Sequence, residues 1–266
     1  MCSSDSSLWI RSVDRARSVL LLAAFAASAS RFVGAQTPVV ESPAHVFRVD
    51  ASRLTPGTFV YETVLERDAS STALGTRTVT ATQANYAGAP AWLLMETRTG
   101  DAIPAIDSLF ADLAGLRPIH WGSSISRARL SAEFRGDTVY GGTTAPAGRR
   151  SMVATMPPGT IVSGPMLDAV LRLLPLRTGF EDSTYTLSVS LNGTTTFPTR
   201  ISVIGEDRVR VPAGLFDCWV VSVHAGDSAR GLYWVTKSDP IVVRSALDVP
   251  SMGGAQYVSS LLRSSR

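Results

Sequence analysis

From Thr58 onward the chain alternates apolar and polar residues with a period of two, the spacing of a half-buried β-strand. In Thr58–Glu66, Phe59, Tyr61, Thr63 and Leu65 share one face, and Val60, Glu62, Val64 and Glu66 the other. Thr76, Thr78, Thr80 and Thr82 line one face of the next segment. Arg127, Arg129, Ser131 and Glu133 alternate with Ala128, Leu130, Ala132 and Phe134, and Tyr185, Leu187, Val189 and Leu191 with Thr184, Thr186, Ser188 and Ser190. Val220–His224, Leu232–Val235 and Ile241–Val243 are further strand candidates. Asn192-Gly193 is the strongest hairpin signal, since both residues tolerate the positive φ of a type I′ turn. Gly136-Asp137, Gly141-Gly142, Gly205 and Gly253-Gly254 read as other reversals. About a dozen short strands at this spacing predict a mainly β, antiparallel protein.

One segment breaks the period. Leu167, Val170, Leu171 and Leu174 fall at i, i+3, i+4 and i+7, one apolar helical face. Ser163-Gly164-Pro165 offers a start, and Pro175 and Gly179 a stop. The polar face would hold Asp168 and Arg172, and the predicted role is packing on the sheet. The helix would divide an N-terminal set of strands from a C-terminal set.

The first 35 residues read as a secretory signal peptide. Arg11, Arg15 and Arg17 precede the apolar run Val19–Ala29, too short for the roughly 20 residues of a membrane span. Val33-Gly34-Ala35 then supplies small residues for cleavage between Ala35 and Gln36. No Cys sits near that cut, which argues against lipid anchoring. Residues 36–46, with two prolines, read as a tether, and 47–266 as a single β-rich domain. The expected location is extracytoplasmic, periplasmic or secreted, with no stable membrane span after cleavage.

Composition narrows the class. Charged residues make up 18% of the chain, low against the roughly 25% of soluble domains, and Thr and Ser decorate the polar strand faces instead. The formal charge of +3 belongs mostly to the leader: residues 1–35 hold four Arg and two Asp, leaving 21 basic and 20 acidic side chains. So small a charge argues against nucleic acid as a partner. All cationic residues are Arg except Lys237. Beyond the leader Cys218 stands alone, so no internal disulfide forms.

The chain contains no G-x-S-x-G elbow, P-loop, G-x-G-x-x-G or H-E-x-x-H. His45, His120 and His224 are far apart, so no metal site, cofactor site or catalytic residue is assigned; His120 reads as a strand residue near an aromatic. Cys218, beside Asp217, reads as a buried, inert thiol. Glu181-Asp182 and Glu206-Asp207 read as turns, and Arg149-Arg150 as a solvated loop pair. Trp92, Trp121, Trp219 and Trp234 lie in apolar strand patterns and read as core.

The C-terminal half resembles a known family. Leu167–Gly179 is followed by the strands around Asn192-Gly193, then by Val203-Ile204-Gly205-Glu206 and Val211-Pro212-Ala213-Gly214-Leu215-Phe216-Asp217-Cys218. Leu232-Tyr233-Trp234-Val235 and Ile241-Val242-Val243-Arg244 complete the order, and Leu116-Arg117-Pro118 fits an earlier strand-then-L-x-P pattern. This succession is similar to the bacterial exported family called domain of unknown function 3108, over about residues 56–262. It departs at Leu215 and at Asp239-Pro240-Ile241. The resemblance implies an extracytoplasmic domain with a strongly curved antiparallel sheet, a half-barrel or β-roll, and carries over no activity, cofactor or catalytic residue. Pro212 and Gly214 punctuate a turn, after which Phe216 enters the core.

The favoured reading is a non-enzymatic envelope binding or structural protein, holding an apolar small molecule or lipid or contacting an envelope protein. The alternative is a hydrolase of an envelope polymer, which would need two converging carboxylates or a Ser/His pair in one cleft.

Overall fold

The computed structural model describes residues 46–100, 104–191, 193–226, 229–249 and 253–265. The leader, the Ala35/Gln36 cut, His45 and all of the tether before Val46 lie outside them, as does Asn192. After a 3-10 turn at Ala51–Arg53 come β1 (Gly57–Arg67), β2 (Ser70–Tyr86), β3 (Ala89–Thr99), β4 (Ala105–Ala111), β5 (Pro118–Ile125), β6 (Ala128–Arg135), β7 (Thr138–Ala145) and β8 (Gly148–Thr155). The two-residue strand β9 (Ile161–Val162) and the helix α1 (Pro165–Leu173) follow. β10 (Glu181–Ser190), β11 (Gly193–Val211), β12 (Gly214–Ala225), β13 (Ala229–Thr236), β14 (Val242–Val249) and β15 (Ala255–Ser265) complete the fold.

All fifteen strands join one sheet in the order β8-β7-β6-β5-β4-β3-β2-β1-β15-β14-β13-β12-β11-β10-β9. Two meanders, one before α1 and one after it, meet where β1 pairs antiparallel with β15. Only β9 runs parallel to its neighbour, through Thr186–Ile161 and Leu187–Val162. The antiparallel, mainly β class is thus as predicted, but the strong curvature is not. The sheet is open, neither closed nor strongly curled, and β8 and β9 end the ladder without pairing to each other. Alternation along a strand reports which face is buried and carries no information about curvature.

Several punctuation marks differ from expectation. Gly141 and Gly142 lie inside β7, and Gly205 inside β11, where the pairing with β12 skips a residue at a bulge. Glycine serves a bulge or a close approach as readily as a turn: a Cβ on Gly141 would lie 2.5 Å from the Ser131 carbonyl oxygen. Glu181-Asp182 opens β10, Glu206-Asp207 is mid-strand in β11, and Arg149-Arg150 lies in the edge strand β8. The predicted hairpin is present, since β10 and β11 pair antiparallel up to Ser190 opposite Gly193, which places Gly193 at the start of β11. Gly136-Asp137 and Gly253-Gly254 do reverse the chain.

The core falls into two clusters. The larger joins inward residues of β2–β7 to those of β10–β14 through α1, with Trp92, Leu109, Val170, Leu171 and Leu187 almost wholly buried. The smaller gathers Phe59, Tyr61, Val79 and Leu261 around Cys218, with Phe216 and Trp234 packed against it. Trp92 and Trp121 are core residues as read, whereas Trp219 and Trp234 are only half-buried, under Lys237 and Arg244 respectively. α1 buries more than its apolar stripe: Asp168, assigned to the polar face, is 4% exposed.

Candidate functional site

Alternation places charge inside the sheet. Arg77 shares the inward face of β2 with Val79 and Ala81, Glu96 and Arg98 that of β3 with Trp92 and Leu94, and Asp107 that of β4 with Leu109. The register sets Arg77 opposite Arg98 and Glu96 opposite Asp107. Like charges directly opposite repel, and the diagonals relieve this. Arg77 Nη2 donates to Glu96 Oε2 at 2.9 Å and Arg98 Nη2 to Asp107 Oδ2 at 3.0 Å, while Arg98 Nε lies 3.4 Å from Glu96 Oε1. From above, Asp168 of α1 accepts from Arg77. The helix is therefore tied to the sheet by a buried ion pair.

Burial and charge compete within this network. Burial would push Glu96 up, but Arg77, with Arg98, holds it below the usual carboxylate range. Burial wins at Asp168 and Asp107, which lie above theirs despite Arg77 and Arg98. Tyr61, whose hydroxyl donates to the Val242 carbonyl at 2.8 Å, and Tyr233 are held protonated, first by burial and then by Asp168. At the end of α1, Arg172 donates to the Thr55 carbonyl at 2.8 Å and covers the Phe59 ring at 4.7 Å.

Beside the helix lies a groove of about 700 Å³. Its floor is apolar: Phe47, Leu116, Met156, Ile161, Met166 and Val170 line it, and all are at most 6% exposed. Its rim carries Arg48, Arg117, Asp112 and Asp137. Met166 and Val170 are one helical turn apart and face the groove, while Asp168 between them points to the charge network. The 112–117 loop is shaped by Asp112, whose Oδ1 accepts from the amides of Ala114 (3.1 Å) and Gly115 (2.7 Å), while Arg117 Nε reaches Oδ2 at 2.6 Å. Burial would raise Asp112, but the Gly115 amide and Arg117 hold it low. Leu116 adopts a positive φ of 54°, rare outside glycine, and is fully buried.

The opposite wall depends on one glycine. Gly159 has φ 79°, and a Cβ there would lie 2.7 Å from the Phe47 carbonyl oxygen. Its own carbonyl accepts from the Thr184 hydroxyl at 2.7 Å. Gly159→Ala should therefore cost more than about 1 kcal/mol, by combining a strained φ with a backbone clash. A thermal melt checks this, and an unchanged midpoint would contradict the packing of Phe47 on this turn.

The structure gathers few of the residues that the sequence singled out. Cys218 is wholly buried in the smaller cluster, and burial, followed by Asp207 and Asp217, pushes its thiol up to about 12. An inert thiol is the consistent reading. His224 lies on β12, and His120 on β5 stacks with Tyr86 at 5.5 Å. No cluster of metal-binding side chains occurs among the described residues. Sequence reasoning missed the charge network, although Arg77, Glu96 and Asp107 are each in phase with apolar neighbours. It also missed the groove, whose walls come from distant loops.

Fold and groove together define a class: an open antiparallel sheet carrying one short helix, which is pinned by buried charge beside an apolar groove. Residues 45–255 match the family described as protein of unknown function (DUF3108), and the chain belongs to that family. No curated protein matches it. Two segments on which the resemblance rested, Leu116-Arg117-Pro118 and the α1 region, line the groove. No described helix is long and apolar enough to cross a membrane.

Proposed function

We propose that this is an exported binding protein whose groove holds a lipid-like ligand with one apolar tail and an anionic head. The leader at 1–35 supports export to an extracytoplasmic location. The observation that carries the ligand reading is the groove itself. Its volume falls in the roughly 300–1,000 Å³ range of ligand sites, and such sites are mostly apolar with a few polar groups that orient the ligand. Met156 and Met166 supply flexible, polarizable surface suited to a tail of variable shape. Arg48 at the rim, beside Arg117 in its pair with Asp112, supplies the charge that a carboxylate or phosphate head would meet.

The test is a titration of residues 36–266 with a fluorescent long-chain fatty acid. Saturable one-to-one binding, displaced by unlabelled fatty acid and weaker with the corresponding fatty alcohol, is expected. Binding that never saturates, or that ignores the head group, would reject the reading.

A further inference from the structure

The outer face of β4–β6 carries chemistry that the groove does not use. The register sets Ser108, Gly122 and Ser131 side by side across three strands, with His120 beside Glu133 two residues along. His120 Nδ1 lies 2.8 Å from Glu133 Oε1, and the same oxygen accepts from the Tyr86 hydroxyl at 2.9 Å. The Tyr86 ring stacks on the imidazole with planes 18° apart. An ionised carboxylate only accepts, so in the neutral imidazole Nδ1 carries the proton toward Glu133 and Nε2 keeps its lone pair. Gly122 lies between the two and is closely bordered by both: a Cβ there would lie 3.3 Å from Ser108 Oγ and 3.7 Å from His120 Nε2. The serine oxygen and the free imidazole nitrogen therefore border the same missing side chain. Ser108 now donates to the Gly122 carbonyl at 3.4 Å, a long bond that little resists rotation.

We propose that Ser108, His120 and Glu133 form a nucleophile, base and orienting carboxylate that hydrolyse a short acyl ester of a polar, hydroxylated alcohol. The close spacing around Gly122 limits the acyl group to a short one. The surrounding shallow groove of about 410 Å³ is lined by Ser124, Ser131, Thr144 and Arg129 as well as by Ile106 and Leu130, and the hydroxyls and Arg129 suit a polar alcohol. Ser108 Oγ attacks the carbonyl carbon as His120 Nε2 takes its proton. The developing oxyanion meets Arg129 and the Ser131 hydroxyl. The intermediate expels the alkoxide, which receives the proton from His120, leaving acyl-Ser108. Water attacks this ester, giving its proton to His120, and the acid leaves as Ser108 recovers a proton. The balance is ester plus water to acid plus alcohol. This departs from the expectation of a chain without catalytic residues, and it is independent of the lipid groove.

The test is labelling of residues 36–266 with a fluorophosphonate, mapped by peptide mass spectrometry, alongside hydrolysis of 4-methylumbelliferyl acetate. An adduct on Ser108 is expected, absent in Ser108→Ala and reduced at least tenfold in His120→Asn and Glu133→Gln. Ser151→Ala, on the edge strand, should label normally. All variants lie on the outer face, and their melting is checked against the unsubstituted chain. No adduct, an adduct on another residue, or equal labelling of a folded His120→Asn would overturn the proposal. None of these results bears on fatty-acid binding.

Discussion

Arg77→Met is expected to destabilise the protein by about 3–5 kcal/mol, the cost of removing one partner from a buried ion pair. The side chain joins Asp168 of α1 to Glu96 of β3. In a domain of this size the loss corresponds to a fall in Tm of roughly 6–20 °C. The pH dependence distinguishes this cause from a simple cavity. A carboxyl held low stabilises the fold above its unfolded pKa, and that contribution is lost as pH falls. A carboxyl held high stabilises it in acid, and that contribution is lost as pH rises. In the native chain Glu96 is of the first kind and Asp168 and Asp107 of the second. Without Arg77, Glu96 loses its principal attraction and joins the second kind. Arg77→Met should therefore recover stability as pH is lowered from 7 toward 5, narrowing its deficit. Thermal melts at both pH values check this, and a deficit that is constant or widens in acid would contradict it.

The second large effect concerns binding. Ala114→Trp is expected to weaken fatty-acid affinity at least tenfold, equivalent to about 1.4 kcal/mol, while leaving Tm nearly unchanged. Ala114 is exposed on the groove lining, so an indole there would occupy the space intended for the ligand without disturbing the core. Met166→Ala works in the opposite direction. It empties a buried position on the floor and should shift preference toward longer or bulkier tails, at a stability cost of about 2–5 kcal/mol. Unchanged affinity in Ala114→Trp would move the ligand site elsewhere.

Much of the secondary structure was legible because a half-exposed strand shows its period directly. Phe59, Tyr61 and Thr63 face inward as read. In β2 the Thr76–Thr82 row shows one half of this signal, and the other half, Arg77, lies in phase with Val79 and Ala81. Asp168 was placed on a polar face because a helix wheel records neighbours in sequence and not an arginine arriving from a strand. Gly141, Gly142 and Gly205 were read as reversals because residue type alone does not separate a turn from a bulge. The groove was invisible for a different reason. Phe47, Leu116, Met156 and Val170 are brought together by folding, and no local pattern links them. The Ser108, His120 and Glu133 set likewise depends on the register of three strands.

The most direct test of the central claim is native mass spectrometry of residues 36–266 purified without detergent from their own host. A bound species of lipid mass is predicted, identified as an anionic single-tailed molecule after organic extraction and lost from Ala114→Trp. A ligand-free mass in repeated preparations, together with no uptake of added fatty acid, would contradict it.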